Sequence, residues 1–270
     1  MNGLVTETND QYHASDPISK SGLWTLYTRT PYRYRFTRGK HTPALDIGTA
    51  THTAILEPEK LDDTVIRGPS DRRGNKWKEA QDEANHKSAI LLTEGDHDKV
   101  LAMRDVAACN SYLQALLRGD KLIEQSAYSE DPEHGVLIKC RPDLFNKTLG
   151  IIGDLKTAAS ASSDDFSKAV GQRGYAMQEA LYTDVFSRAS GLSVDGFVFI
   201  VIEKPTDENP PIVKCYELDS SAVNEGYAQY RKALAMYAEC HKIDTWPAYG
   251  DGIDTISLRR WDYRETQPGE

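Results

Sequence analysis

Cysteine, surplus positive charge and long apolar runs are all scarce in this chain, and each shortage narrows what it can be. The four cysteines in 270 residues are Cys109, Cys140, Cys215 and Cys240, and none form a C-x-x-C pair. That spacing fits no zinc motif, so buried free thiols are expected. Lysine and arginine number 32 against 41 aspartates and glutamates, a net charge of −9. This is the reverse of the usual basic nucleic-acid binder. It leaves room for a metal site, which needs carboxylates, with phosphate contacts coming from a local basic patch. Attraction to a polyanion from a distance is then weak, and a groove or ring enclosing the substrate would compensate. No run approaches the ~20 apolar residues of a membrane span. Met1 to Asp16 is polar and lacks an apolar signal core, so a soluble, cytoplasmic protein is expected. Glycine and proline are scattered, and no internal repeat or long disordered tract is visible.

Hydrophobic residues make up 39% of the chain, enough for one substantial core. The length suits one domain with insertions, or a core with a helical cap. The patterning predicts a single domain over 1–270. It divides into a mainly helical part over about 10–120, a sheet-and-helix core over about 121–245 and a tail over 246–270. Ser19 or Ser21 reads as the N-cap of a helix through Leu23 and Trp24, ended or interrupted by Pro31. Leu45 to Leu56 reads as a second helix, limited by Pro58. Gly68 to Lys87 is polar and charged, a mobile loop leading into a helix from about Lys76. Thr93 to Leu117 has helical periodicity through Val100, Met103, Val106 and Leu113. Strands are then predicted over Leu122–Glu130, Val136–Arg141 and Ile151–Leu155, with turns at Asp131–Gly135 and Asn146–Gly150. Helices near Asp164–Gly171 and Tyr175–Ser190, strands Gly196–Glu203 and Ile212–Leu218, and a helix over Ser220–Lys242 complete the order. Helices, three strands, helix, two strands and helix make an α/β sandwich with a mixed sheet.

The stretch that carries chemistry is Pro142-Asp143 followed by Asp154-Leu155-Lys156. On this reading Asp143 ends one hairpin strand and Asp154 sits near the end of the next. Asp154 and Lys156 are two apart and share a strand face, so two carboxylates and an ammonium can converge at the sheet edge. Aspartates are hard oxygen ligands that suit magnesium. The metal polarises a phosphoryl oxygen and lowers the pKa of a bound water. A lysine beside it orients that water and offsets developing charge, and the Leu155 carbonyl offers a further ligand.

Other residues fall where phosphodiester chemistry would use them, each with a plainer reading beside it. Gln178 and Tyr182 are four apart on a predicted helix and share a face; otherwise they are a surface amide and a core aromatic. Glu124 opens a predicted strand and could point to the same edge, or be merely exposed. His52 lies in the small-residue helix Gly48-Thr49-Ala50-Thr51-His52 and is either structural or an imidazole ligand. Arg72, Arg73, Lys76 and Lys78 are the best phosphate-contact candidates, or a solvated loop. Arg141 can bind DNA or pair with a carboxylate. Arg259 and Arg260, before Trp261, contribute to a groove or are exposed.

Together these residues resemble the PD-(D/E)XK nuclease superfamily. The order His52, Glu124, Asp143, Asp154-x-Lys156 and Gln178-x-x-x-Tyr182 is similar to its RecB-like branch. Tyr12-His13, Ile18-Ser19-Lys20-Ser21, Leu45 to His52, Leu56-Glu57-Pro58, Cys140-Arg141-Pro142-Asp143, Asp154-Leu155-Lys156-Thr157 and Trp246-Pro247 resemble the RecE-type exonuclease VIII family. The resemblance runs from about residue 10 to 262. It implies a mixed central sheet flanked by helices, with N-terminal helical additions. It also implies digestion of double-stranded DNA from an end, removing the 5′ strand to leave a 3′ overhang beside a single-strand annealing protein. A homo-oligomeric ring, tetrameric or trimeric, would answer the acidic net charge. His52, Asp143, Asp154 and the Leu155 carbonyl would hold Mg2+, with Mn2+ able to substitute. Lys156 would act on the water, with Glu124, Gln178 and Tyr182 in support. Relatives with an iron–sulfur cluster carry four cysteines near the domain ends; this chain does not, so no cluster is expected. The rivals are a single-strand or endonucleolytic enzyme of the same fold, a catalytically inactive DNA- or protein-binding module, and a carboxylate-pair hydrolase such as a glycosidase.

Overall fold

The computed structural model describes residues 2–37, 39, 42–258 and 262. Strand β1 (Gly3–Val5) leads to helix α1 (Asn9–Ala14), where Thr8 and Gln11 form a capping box. β2 (Ile18–Ser19) runs straight into α2 (Lys20–Thr28), with the Ser19 hydroxyl accepting from Gly22 N–H. Pro31 does more than end that helix. It occupies the first turn of α3 (Pro31–Phe36), where its missing N–H costs nothing. α4 (Pro43–Leu56) follows, then a 3-10 turn at Pro58–Lys60, α5 (Leu61–Thr64), β3 (Val65–Arg67), α6 (Asn75–Lys87) and β4 (Ile90–Leu92). The helix expected across Thr93–Leu117 is two, α7 (Glu94–Cys109) and α8 (Ser111–Leu116). They divide at Asn110, whose side chain caps the second by accepting from Leu113 N–H at 2.9 Å.

The second half contains β5 (Lys121–Ile123), β6 (Ser126–Glu130), β7 (Leu137–Cys140), β8 (Leu144–Asn146), β9 (Ile151–Ala158), α9 (Ser163–Arg173) and α10 (Tyr175–Ser190). It closes with β10 (Gly196–Glu203), β11 (Ile212–Tyr216) and α11 (Ser220–Ile243). The single strand expected over Leu122–Glu130 is two strands in different sheets. β5 is the edge of the five-stranded sheet β11-β10-β9-β8-β5, while β6 belongs to β1-β6-β7-β2. The link between them turns at Glu124, whose φ is +46°. The sheet is mixed: β9 pairs antiparallel with β8 and parallel with β10. Gly150, at φ +66°, makes the tight β8–β9 turn.

β10 is buried on both faces, which is why Phe197 to Ile202 is an unbroken apolar run. Phe197, Phe199 and Val201 pack with Ile152, Phe145, Met177, Leu181 and Tyr230 under α10 and α11. Val198, Ile200 and Ile202 pack with Leu144, Leu155, Ala50, Val100 and Met103 under α4 and α7. Helices thus cover both faces of a mixed α/β sheet. Cys140 and Cys240 are buried as expected, Cys215 is half-buried and Cys109 is exposed. Among the described residues no helix is long and apolar enough to cross a membrane. Arg259, Arg260 and Trp261 lie outside the described residues.

Candidate active site

Asp143 and Asp154 meet across the β8–β9 pairing. Asp143 sits one residue before β8, and Leu144 pairs with Gly153. Asp154 is therefore beside Asp143, mid-strand in β9 rather than near its end, and the sheet continues past the site to Ala158. Alternation along β9 sends Leu155 into the α4–α7 core and turns Asp154 and Lys156 toward α10. Asp143 Oδ2 accepts the Leu155 N–H at 2.7 Å. The N–H and C=O of a strand residue leave on the same side, so the Leu155 carbonyl also faces the Asp143 edge.

Three elements deliver the remaining groups. From α4, His52 Nδ1 lies 3.5 Å from Asp143 Oδ1 and 3.7 Å from Glu124 Oε1. The β5–β6 link presents Glu124, tied down because its N–H donates to the Asp143 carbonyl at 3.0 Å. A left-handed backbone at a residue other than glycine costs about 1–3 kcal/mol, and here it aims a carboxylate at the site. Arg141 does not face outward to a ligand: its Nε donates to Glu124 Oε2 at 3.0 Å. From α10, Gln178 Nε2 donates to Asp154 Oδ1 at 2.6 Å, and Lys156 forms an ion pair with Asp154 Oδ2. Tyr182 packs edge-on against Phe197. Its phenol is pushed well up by burial and then by Tyr12 and the Asp154 charge.

The charges are strongly coupled. Burial, opposed by Lys156 and reinforced by Asp143, pushes the Asp154 carboxyl up to about 6. Burial acts on Asp143 too, but the His52 and Lys156 charges and the Leu155 N–H outweigh it and hold that carboxyl below its usual range. Burial disfavours charge on His52, yet Asp143 and Glu124 override it and raise the imidazole to about 10. Asp154 and Asp143 likewise override burial and hold the Lys156 ammonium above its ordinary value.

This donor set fits a hard divalent cation. Donor atoms of His52, Glu124 and Asp143 lie within 4.8 Å of one another, so Glu124 stands among the possible ligands and not merely behind them. Asp154 Oδ2 is buried with no hydrogen-bond donor beyond its ion pair with Lys156. Carboxylates with one imidazole and a carbonyl suit Mg2+ or Mn2+. A second acidic group, Asp131 with Glu133 and His134, is already bridged by Arg231, whose guanidinium reaches both carboxylates.

Two features went unread in the sequence. Lys20 at the start of α2 reaches the site from the far side. Burial, then Lys156 and Arg173 opposed by Asp154, brings its ammonium down to about 8. Tyr175, beside Gln178 on α10, lies under the Lys156 ammonium, 5.1 Å from ring centroid to Nζ. The basic loop behaves differently from a free patch. Arg72 pairs with Asp96 at 3.2 Å and Arg73 with Asp71 at 2.7 Å. No contact joins Arg72, Arg73 or Lys76 to the site among the described residues.

An Asp, Asp-x-Lys set on a hairpin of a mixed sheet is the pattern of the PD-(D/E)XK nucleases, and the chain is a nuclease of that type. It belongs to the family described as PDDEXK-like domain of unknown function (DUF3799), whose pattern matches residues 32–259. No curated protein matches its sequence. A crystal structure of a candidate exonuclease from Eubacterium rectale is similar over 96% of this chain and 98% of that one, at 14% identity and a TM-score of 0.63. That likeness shows a shared fold. A phage-related exonuclease from Haemophilus somnus 129PT aligns over 87% of this chain and 100% of its own, but at 11% identity and a TM-score of 0.36. So slight a likeness carries no weight.

Proposed function

We propose that this nuclease is a magnesium-dependent exonuclease of the RecE type. It takes linear double-stranded DNA from a free end, removes the 5′ strand and leaves a 3′ overhang for a single-strand annealing protein. Its copies form a ring in the cytoplasm, tetrameric or trimeric. The observation that carries the reading is the convergence of His52, Glu124, Asp143, Asp154 and Lys156 from four separate segments onto one point. The Eubacterium rectale structure, which spans nearly the same length and is named as a candidate exonuclease, supports the exonucleolytic mode. The polarity and the partner rest on the motif resemblance.

His52, Asp143, Asp154 and the Leu155 carbonyl would hold the metal, with Glu124 beside them. Bound there, a divalent cation polarises the scissile phosphate and acidifies a water. Lys156 remains an ammonium, so it orients the attacking water and offsets charge on the phosphate rather than accepting a proton. Gln178 fixes Asp154 and keeps one carboxylate oxygen occupied, so the carboxylate presents the other toward Lys156 and would leave it to a metal. Arg141 holds Glu124 in the same way.

The test is digestion of linear duplex labelled at one 5′ or one 3′ end, with magnesium and with EDTA, beside a closed circle of the same sequence. Early release of the 5′ label, from linear DNA and only with magnesium, is expected. Cutting of the circle makes the enzyme an endonuclease. Early release of the 3′ label reverses the polarity, and no digestion with any metal leaves a binding module.

A further inference from the structure

Cations and aromatic rings touch one another in a line that starts at Lys156 and leads away from the site. Lys156 Nζ lies 5.1 Å from the Tyr175 ring centroid, and Lys20 Nζ lies 5.6 Å from the same ring. Lys20 Nζ is also 5.7 Å from the Trp24 ring. Trp24 stacks with Tyr27, centroids 5.9 Å apart and planes 26° apart. Lys232 of α11 ends the line, 5.9 Å from the Tyr27 ring. Lys20, Trp24 and Tyr27 are spaced four and three apart, so they share one face of α2. They span roughly 10 Å of helix. The inner end of the line borders a cavity of about 410 Å3 lined by Lys156, Lys168, Gln172, Arg173 and Tyr175.

The charge around this line is unusual for the chain. From Pro17 to Leu45 the sequence carries Lys20, Arg29, Arg33, Arg35, Arg38 and Lys40 and no aspartate or glutamate. Arg29 and Arg33 are exposed and make no ion pair with a described carboxylate. The arginines at 72 and 73 are already paired with acids. A polyanion therefore meets positive charge on α2 and α3 without displacing a carboxylate. Packing explains one side of Trp24, which leaves no room for a Cβ at Gly174. It does not explain a cation at each ring.

Rings with an ammonium beside each, two of them stacked together, match a nucleic-acid strand whose bases are free to stack, with phosphates near the ammoniums. A duplex hides its base faces. We propose that α2, with Tyr175 and Lys232, forms a track for single-stranded DNA that ends at Lys156, so the strand being cleaved is held unpaired as it enters. The proposal deepens the nuclease reading above and rests on it.

The test is the affinity for a short fluorescent oligo(dT), and for a duplex of equal length, in EDTA so that nothing is cut. Trp24→Leu weakens oligo(dT) binding about tenfold or more, Trp24→Phe keeps most of it, and duplex affinity stays within about twofold. Lys232→Glu lowers the slope of log affinity against log salt by about 0.7 or more. Lys232 is exposed on α11, so this variant decides the matter if Trp24→Leu does not fold. Wild-type protein that ignores oligo(dT), or folded variants that bind it as wild type does, overturns the track. Binding in EDTA needs no hydrolysis, so the two readings fail separately. A protein that cuts no DNA but loses oligo(dT) in these variants keeps the track and loses the exonuclease. Normal digestion with unchanged variant binding does the reverse.

Discussion

Gln178→Leu removes the amide that donates to Asp154 Oδ1 at 2.6 Å while nearly conserving volume. A hydrogen bond to a buried charged group contributes about 1.5–3 kcal/mol. Losing ~2 kcal/mol from the ionised form alone, at 1.36 kcal/mol per pKa unit, raises the carboxyl by roughly 1.5 units. Asp154 already stands at about 6, so the variant titrates near ~7.5. At pH 7 its ionised share falls from about nine-tenths to about one quarter. The assay is kcat/KM for hydrolysis of linear duplex between about pH 5.5 and 9.5 at magnesium well below saturation, where the acid limb reports groups of the metal-free enzyme. The limb should move up by about 1.5 units, with a roughly fourfold loss near pH 7 and near-normal activity at the alkaline end. A uniform loss at every pH, with the limb unmoved, refutes the electrostatic role and makes Gln178 a purely spatial support.

Three other outcomes follow from the same geometry. Glu179 is buried, and burial, then Glu217, raises its carboxyl from 4.5 to about 7. A raised acid binds its proton more tightly in the folded state, so stability falls as pH rises from about 4.5 through about 7. Glu179→Gln should therefore gain up to ~3 kcal/mol near pH 8 and little below pH 4; denaturation curves that differ equally at all pH contradict this. His52 is charged at neutral pH, with its imidazole raised to about 10. Metal binding must then release about one proton from it, read by calorimetry in buffers of different ionisation enthalpy. No buffer dependence would show that His52 is not a ligand. Arg141→Ala frees Glu124 from its guanidinium, and the magnesium needed for half-maximal activity should rise about 10- to 100-fold. An unchanged requirement removes Arg141 and Glu124 from the metal's support.

The legible parts of the fold were those whose local pattern and tertiary role agree. Tyr175–Ser190 and Gly196–Glu203 were readable to the residue, because a helix bounded by Gly174 and Gly191 and an unbroken apolar run leave few alternatives. Asp143, Asp154 and Lys156 were readable as a set, but the hairpin expected from Val136–Arg141 and Ile151–Leu155 is not the one that joins them: β7 lies in the other sheet, and the unpredicted three-residue strand β8 pairs with β9. Glu124 was only half legible. No glycine or proline marks the break between β5 and β6, and only their pairing with β8 and with β1 and β7 divides them. The two- and three-residue strands β1 to β4 exist through hydrogen bonds to distant partners and leave no periodicity to read. Arg72 looked free because its acid, Asp96, lies some distance along the chain, while the acid of Arg73, Asp71, is a near neighbour within the same loop. The Lys20–Trp24–Tyr27 face escaped notice because its meaning depends on Lys156 and Lys232, which only the fold places beside it.

The most direct measurement is hydrolysis of linear duplex in magnesium by wild-type protein, Asp154→Asn and Lys156→Ala, each checked for its native circular dichroism. Wild type should digest the duplex, and each folded variant should lose at least ~10²-fold. Activity retained in either folded variant would contradict the placement of catalysis at Asp143, Asp154 and Lys156.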